Sequence, residues 1–316
     1  MAKVFVTGIS GFVGRHLARA LVDAGHTVIG SGRDLTVPKE LMEFVADYYT
    51  CDLTVPDQVS QLDLSGIDAV INLAGLAQVA ASFGNEDLYH KVNVLAHTNL
   101  ADAIVQSGNH SIRIVSISSG AVYAPDQAPP LREDSKLASN GSPYALSKIA
   151  MEQAMLPYQD KGLDVIIARP FNHIGPGQGV GFILPDLVGQ ILTAPSGGTI
   201  TTGNLATKRD YTDVRDVVRA YALLATTEKL QHSIYNICTG ESHQGSELLS
   251  LAMKAAHRED LATAEDPTRL RPKGADVMDL YGSHAALSED TNWQPSISLD
   301  QTIQDFVSWA TSQTKA

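Results

Sequence analysis

Thr7-Gly8-Ile9-Ser10-Gly11-Phe12-Val13-Gly14 is the stretch on which the reading of the fold turns. It follows the strand-like run Lys3-Val4-Phe5-Val6-Thr7 and leads into Val13, Leu17, Ala20 and Ala24, spaced i, i+4, i+7, i+11. That spacing draws one apolar stripe along a helix, so the glycines stand at a strand–turn–helix junction. Gly8 permits the tight turn, Gly11 lets backbone N–H groups approach a pyrophosphate, and Gly14 lets helix and strand pack closely. The N-terminus of the helix adds partial positive charge beside the phosphates. A glycine triplet alone is weak evidence; this junction makes a dinucleotide turn the better reading than a merely glycine-rich one.

Outward from that turn, short apolar strands alternate with amphipathic helices, the pattern of a parallel sheet covered on both faces. Strands are expected at Val4–Thr7, Thr27–Ile29, Tyr48–Cys51, Ala69–Leu73, Arg113–Ile117 and Asp164–Ala168, and helices near Asp87–Gln106 and Tyr144–Lys161. After Arg169-Pro170 the alternation stops, and Phe171–Gly181 reads as an ordered, glycine-rich loop. A stretch at about 209–239 is expected to rejoin the sheet through Tyr235–Cys238. Leu248–Ala256 and a helix from Leu299 to Trp309 belong to a smaller lobe. The fold class is therefore α/β, a Rossmann-type doubly wound sheet with a smaller α/β C-terminal substrate-binding lobe. Residues 1–170 and about 205–239 form the cofactor domain, and residues 171–204 and 240–316 the lobe. Asp-Leu-Thr-Val-Pro occurs at both 34–38 and 52–56 and reads as two similar turns, not as a repeat array.

Composition narrows the partners. The 316 residues carry 23 Lys plus Arg against 35 Asp plus Glu, a net charge of −12, which disfavours nucleic acid and anionic membranes. Cys51 and Cys238 lie far apart with no C-x-x-C, and the histidines form no H-E-x-x-H, so neither a disulfide framework nor a metal is expected. With no signal-peptide pattern and no apolar run near the roughly 20 residues of a membrane span, a cytoplasmic location is the expectation.

Two features speak to chemistry. At the end of the second strand, an NAD enzyme places a carboxylate for the ribose 2′-hydroxyl, whereas a 2′-phosphate calls for cations. Here Ser31-Gly32-Arg33 offers a guanidinium, which favours NADP(H) over NAD(H), with Asp34 left to cap the next turn. Further on, Tyr144-Ala145-Leu146-Ser147-Lys148 puts a tyrosine and a lysine one turn apart on a helix face. Bringing a phenol from about 10 towards 7 takes roughly 4 kcal/mol, which a neighbouring ammonium and an oxidised nicotinamide together would supply.

The G-x-x-G-x-x-G turn, Y-x-x-x-K and Ser116-Ile117-Ser118-Ser119-Gly120-Ala121-Val122-Tyr123 together resemble the extended short-chain dehydrogenase/reductase superfamily, the NAD-dependent epimerase/dehydratase family. The resemblance implies Ser119, Tyr144 and Lys148 as the catalytic set, with Ser118 as the alternative third member. It implies cofactor contacts from Gly8, Gly11, Phe12, Val13, Gly14, Ser31, Arg33, Asp52, Leu53, Leu73, Ala74, Gly75, Asn93 and Phe171, besides Tyr144 and Lys148. The branch's 4,6-dehydratases carry an acidic pair directly after the serine or threonine; here those positions are Gly120 and Ala121, which disfavours dehydration.

In the second half, Arg169-Pro170-Phe171-Asn172-His173, Gly203-Asn204-Leu205, Arg209-Asp210-Tyr211-Thr212-Asp213 and Leu270-Arg271-Pro272 look like those of the GDP-6-deoxy-4-keto-D-mannose reductases. That likeness implies a nucleotide-diphosphate sugar met by Asn172, Arg209 and Arg271, with Ser119 on the sugar and His173 near the nicotinamide or the sugar. It departs from the pattern after Pro272, where two residues are inserted and Asp276 replaces a glutamate. The expected activity is NADPH-dependent reduction of a C4 keto group, with a 4-epimerase as the alternative and a non-catalytic dinucleotide sensor as a reading of another class. A homodimer through the helices bearing Asn93 and Tyr144 follows from the resemblance.

Overall fold

The computed structural model describes residues 1–269 and 277–314. From the N-terminus run β1 (Lys3–Thr7), α1 (Phe12–Asp23), β2 (Thr27–Gly32), β3 (Asp47–Thr50), α2 (Pro56–Val59), β4 (Ala69–Asn72), α3 (Val79–Ser82), α4 (Glu86–Ser107) and β5 (Arg113–Ile117). Next come α5 (Pro143–Met155), β6 (Asp164–Pro170), β7 (Asn172–Ile174), α6 (Ile183–Thr193), β8 (Thr199–Thr202), β9 (Lys208–Arg209), β10 (Tyr211–Asp213), α7 (Val214–Thr226) and β11 (Ile234–Ile237). The last are β12 (His243–Gln244), α8 (Gly245–Ala255), β13 (Ala262–Glu265), β14 (Asp279–Leu280), α9 (Ala285–Thr291) and α10 (Leu299–Gln313).

The central sheet has the order β11-β6-β5-β4-β1-β2-β3, and each of its pairs is parallel. Val4, Phe5, Val6 and Thr7 of β1 are all fully buried, because helices cover both faces of the strand. Leu17 and Leu21 of α1 pack with Val217 and Tyr221 of α7 on one face. Leu100 and Ile104 of α4 pack with Met151 and Met155 of α5 on the other. The strand order reverses between β1 and β4, so the turns after their C-terminal ends flank the crevice in which such sheets bind ligands.

A second core joins Leu184, Leu187 and Val188 of α6 to Leu248 and Ala252 of α8 and to Ile303 and Phe306 of α10. Three small sheets, β7–β10, β8–β13 and β12-β9-β14, tie this lobe together. The expected lobe of residues 240–316 divides between the two cores. Leu287 of α9 and Trp293 are fully buried in the first one, where Trp293 Nε1 donates to the Asp216 carbonyl at 3.0 Å. Two local expectations also change. The helix expected over Tyr144–Lys161 ends at Met155, and Leu156–Lys161 is a 3-10 turn, since Pro157 lacks the N–H that would continue it. The loop after Phe171 contains β7, which pairs with β10.

Candidate active site

The glycine turn is built as a cradle that only glycine leaves open. Gly8 has φ +62°, a region L side chains avoid. A Cβ on Gly11 would stand 3.1 Å from the Gly8 carbonyl oxygen, and one on Gly14 only 2.5 Å from that of Ile9. Gly11 caps α1, whose first turn holds no acidic residue, so its N–H groups present an unopposed positive end. Phe12 and Val13 open that helix, and the residues present fit a dinucleotide pyrophosphate.

At the adenosine end, Tyr48 occupies the place of the missing carboxylate. A Cβ on Gly32 would lie 2.8 Å from its hydroxyl, which donates to the Asp34 carbonyl at 3.0 Å. Thr50 donates to the same carbonyl, so the backbone of Asp34 ties down this turn. Arg33 is exposed, and no ion pair among the described residues engages it. The buried Ser31 hydroxyl has no hydrogen-bond partner. Asp52 accepts from the N–H and hydroxyl of Thr54 at 2.9 and 2.8 Å, and these bonds hold its carboxyl below the usual range. One of its oxygens is thereby spent on a local turn. Leu53 is buried beside it.

The turn after β4 meets α5 at Gly75. A Cβ there would stand 2.9 Å from Asn93 Oδ1 and 3.4 Å from Lys148 Nζ. Asn93 accepts from Leu76 N at 2.7 Å and donates to Ser147 Oγ at 2.8 Å, and Ser147 in turn donates to the Tyr144 carbonyl. Asn93 therefore joins the Leu73-Ala74-Gly75 turn to α5 through direct bonds. Ala74 N donates to Thr7 Oγ1 and Asn72 Oδ1, which locks that turn to β1 and β4.

Tyr144 and Lys148 are both buried on α5, whose start is set by the Ser142 cap and Pro143. The Ser119 hydroxyl accepts from Ala121 N at 3.1 Å, and its influence on Tyr144 opposes the upward shift that burial imposes on the phenol. Lys148 donates to the Ile117 carbonyl at 2.7 Å, and burial lowers its ammonium to about 8 against the pull of Glu152. Burial outweighs the other influences on the Tyr144 phenol and holds it above its ordinary value. Ser118 is not the third member. Its side chain turns the other way and donates to Glu152.

On the substrate side the residues meet different fates. Asn172 is exposed at the start of β7. Arg209 donates to the carbonyls of Lys208 and Val277 at 2.7 Å each, and Arg271 lies outside the described residues. Asp210 accepts from Thr239 and Gly240, while Asp213 pairs with Arg215. His173 stacks on Phe12 with centroids 6.2 Å apart, and burial lowers its imidazole. Phe171, expected on the cofactor, is 4% exposed and stacks on Tyr123. Its ring would lie 2.9 Å from a Cβ on Gly120, so its visible work is to pack the floor of the site.

Three residues of this region escape a reading of the motifs. His16 bonds the Pro176 carbonyl at 2.8 Å, joining α1 to the loop after β7, and nothing in its spacing announces this. Ser147 bridges Asn93 to α5. Glu152 carries a signal: with Tyr144 and Lys148 it falls at i, i+4, i+8, a carboxylate on the inward face of α5. No group of histidine, cysteine, aspartate and glutamate among the described residues is arranged to hold a metal, and no described helix is long and apolar enough to cross a membrane.

Comparison with known proteins places the chain in a family. The model of the NAD dependent epimerase/dehydratase family matches residues 4–238. The chain is 35% identical over 312 residues to the GDP-6-deoxy-D-mannose reductase of Pseudomonas aeruginosa, covering 97% of this chain and 96% of the relative. It superposes on the structure of RMD from Pseudomonas aeruginosa complexed with NADPH with a TM-score of 0.83 and 33% identity, covering 99% of this chain and 100% of the other. A UDP-glucose 4-epimerase from Thermus thermophilus complexed with NAD gives a TM-score of 0.81 at 26% identity, with 97% and 98% covered.

Proposed function

The chain belongs to the NAD dependent epimerase/dehydratase family, and on that premise we propose that it is an NADPH-dependent reductase of a nucleotide-activated 4-keto-6-deoxyhexose, converting GDP-4-keto-6-deoxy-D-mannose to GDP-D-rhamnose. One arrangement carries the reading: Ser119, Tyr144 and Lys148 converge at the sheet's C-terminal edge, and Gly120 and Ala121, beside the serine, have no acid–base group. Such a site can deliver one proton to an oxygen but cannot shuttle protons between neighbouring carbons. The reductase and the NADPH complex among its relatives support the same activity and cofactor. NAD(H) is the alternative cofactor, and Arg33 beside Gly32 favours NADPH.

When bound, NADPH supplies the hydride for C4. Tyr144 protonates the C4 oxygen, Ser119 holds that oxygen and the phenol in line, and Lys148 supplies the charge that eases proton transfer. The glycine cradle of Gly8, Gly11 and Gly14 takes the pyrophosphate, while Ser31 and Arg33 take the 2′-phosphate. Asn172, Arg209 and Arg271 bind the diphosphate of the sugar nucleotide, so an acidic chain meets two anionic ligands with local cations. The test is NADPH absorbance with freshly made GDP-4-keto-6-deoxy-D-mannose, followed by identification of the sugar. Steady oxidation with GDP-D-rhamnose as product supports the reading. Epimerised product without net oxidation indicates a nucleotide-sugar 4-epimerase, and cofactor binding with neither activity indicates a sensor.

A further inference from the structure

Three successive residues, the last of β5 and the two that follow it, face three residues spaced four apart on α5, and two of them hold theirs by hydrogen bonds. The Ile117 carbonyl accepts from Lys148 and Ser118 donates to Glu152, while Ser119, the next residue, acts on Tyr144 one turn before Lys148, opposing the upward shift of its phenol. Successive side chains of an extended strand point to opposite sides, so Ser118 is aimed away from the site whenever Ser119 is aimed into it. Glu152 is 2% exposed. Arg169 of β6 grips it from the other side with two bonds, Nε to Oε1 at 2.9 Å and Nη2 to Oε2 at 2.7 Å. The same guanidinium donates to the Tyr123 hydroxyl at 2.9 Å, and Tyr123 donates to Asn236 of β11 at 2.6 Å. One buried polar chain thus crosses β5, α5, β6 and β11 directly beneath the catalytic residues.

A buried ion pair adds little stability over an apolar pair of the same volume, so stability alone is a poor reason for this one. We propose that Glu152 is a positioning residue that acts through Ser118, pinning the end of β5 to α5 and so fixing Ser119 against the Tyr144 hydroxyl. The kinetic side of this proposal rests on the reductase reading. Misplacement by about 1 Å can cost on the order of a hundredfold in rate, and the clamp spans the two elements whose relative position sets how Ser119 meets Tyr144.

Glu152→Ala would leave Arg169 buried without its partner and endanger folding, so Ser118→Ala is the decisive variant. It removes one hydroxyl and leaves the Glu152–Arg169 pair whole. The expected result is a fall in kcat of roughly tenfold with the Kd for NADPH within about twofold of the parent. In a Ser119→Ala background the same change should cost less than about twofold, because a clamp that works through Ser119 has nothing left to position. A kcat unchanged by Ser118→Ala, or an undiminished loss in the Ser119→Ala background, overturns the proposal. Failure of the parent chain to reduce the sugar nucleotide sinks the reductase reading separately. The ionisation of Tyr144 at saturating NADP+, read at about 295 nm against Tyr144→Phe, then decides the clamp: Ser118→Ala raises its midpoint if the proposal holds and leaves it in place if not.

Discussion

Replacing Arg33 with alanine removes an exposed guanidinium that takes part in no ion pair among the described residues. A surface change of that kind moves stability by about 0.5 kcal/mol or less, so folding and cofactor choice can be read apart. Against a 2′-phosphate the same group makes charge-assisted hydrogen bonds worth about 1.5–3 kcal/mol. At about 1.4 kcal/mol per tenfold, Arg33→Ala should lower kcat/KM for NADPH by about 10- to 150-fold and leave that for NADH within about twofold. The NADPH preference should fall by the same factor. Because the contact is exposed, the parent's preference should also shrink with salt, as the Debye length drops from about 10 Å at 0.1 M to about 3 Å at 1 M. The assay is initial rates with each dinucleotide at two ionic strengths, with a melting curve as control. An unchanged NADPH-to-NADH ratio, or an equal loss with both cofactors, would refute the assignment of Arg33 to the 2′-phosphate.

The Tyr144→Phe variant keeps the buried ring and loses the proton donor; kcat should fall by roughly 10²- to 10⁴-fold while NADPH fluorescence titrations show binding within about threefold of the parent. Lys148 is held at about 8 in the fold against 10.5 for the free side chain, so between those values the unfolded chain binds more protons and stability rises with pH. Below about pH 8 both states are protonated and the burial cost is complete. Lys148→Met should accordingly be more stable than the parent at pH 7, by an amount of order 1–3 kcal/mol after loss of the Ile117 bond, and urea midpoints should show that advantage shrinking as pH climbs towards 10.5. A constant difference across that range would contradict the burial cost. Leu88 and Leu95 on α4 and Leu146 on α5 are 49, 36 and 39% exposed, an apolar face suited to a second copy; Leu95→Glu with Leu146→Glu should turn a homodimer into a monomer by light scattering, and an unaltered mass would remove this face from the interface.

The strand pattern, the glycine turn and the shared face of Tyr144 and Lys148 were legible because each depends on neighbours in the chain, whereas Ser119, 25 residues before Tyr144, was reached only through the family resemblance. Strands and helices follow from the 2.0 and 3.6 periodicities, and Tyr144 and Lys148 share a face by helix geometry alone. Gly14 announces itself for a local reason too: the carbonyl it must clear belongs to Ile9, five residues back. The end of the helix at Met155 was equally local, written in Pro157, but a continuous apolar pattern concealed it.

What the sequence determined by itself was therefore the doubly wound sheet, the glycine turn and the candidate set of Ser119, Tyr144 and Lys148. Only the tertiary structure decided how those parts are held. It sent Ser118 to Glu152 rather than into the site, put Phe171 under Gly120, filled the place of an acid at Gly32 with Tyr48, and returned Trp293 to the first core. Each of these joins residues from different elements, from Gly32 and Tyr48, 16 positions apart, to Asp216 and Trp293, 77 apart. No periodicity records such pairings, because they are set by packing and by the need of each buried polar group for a partner.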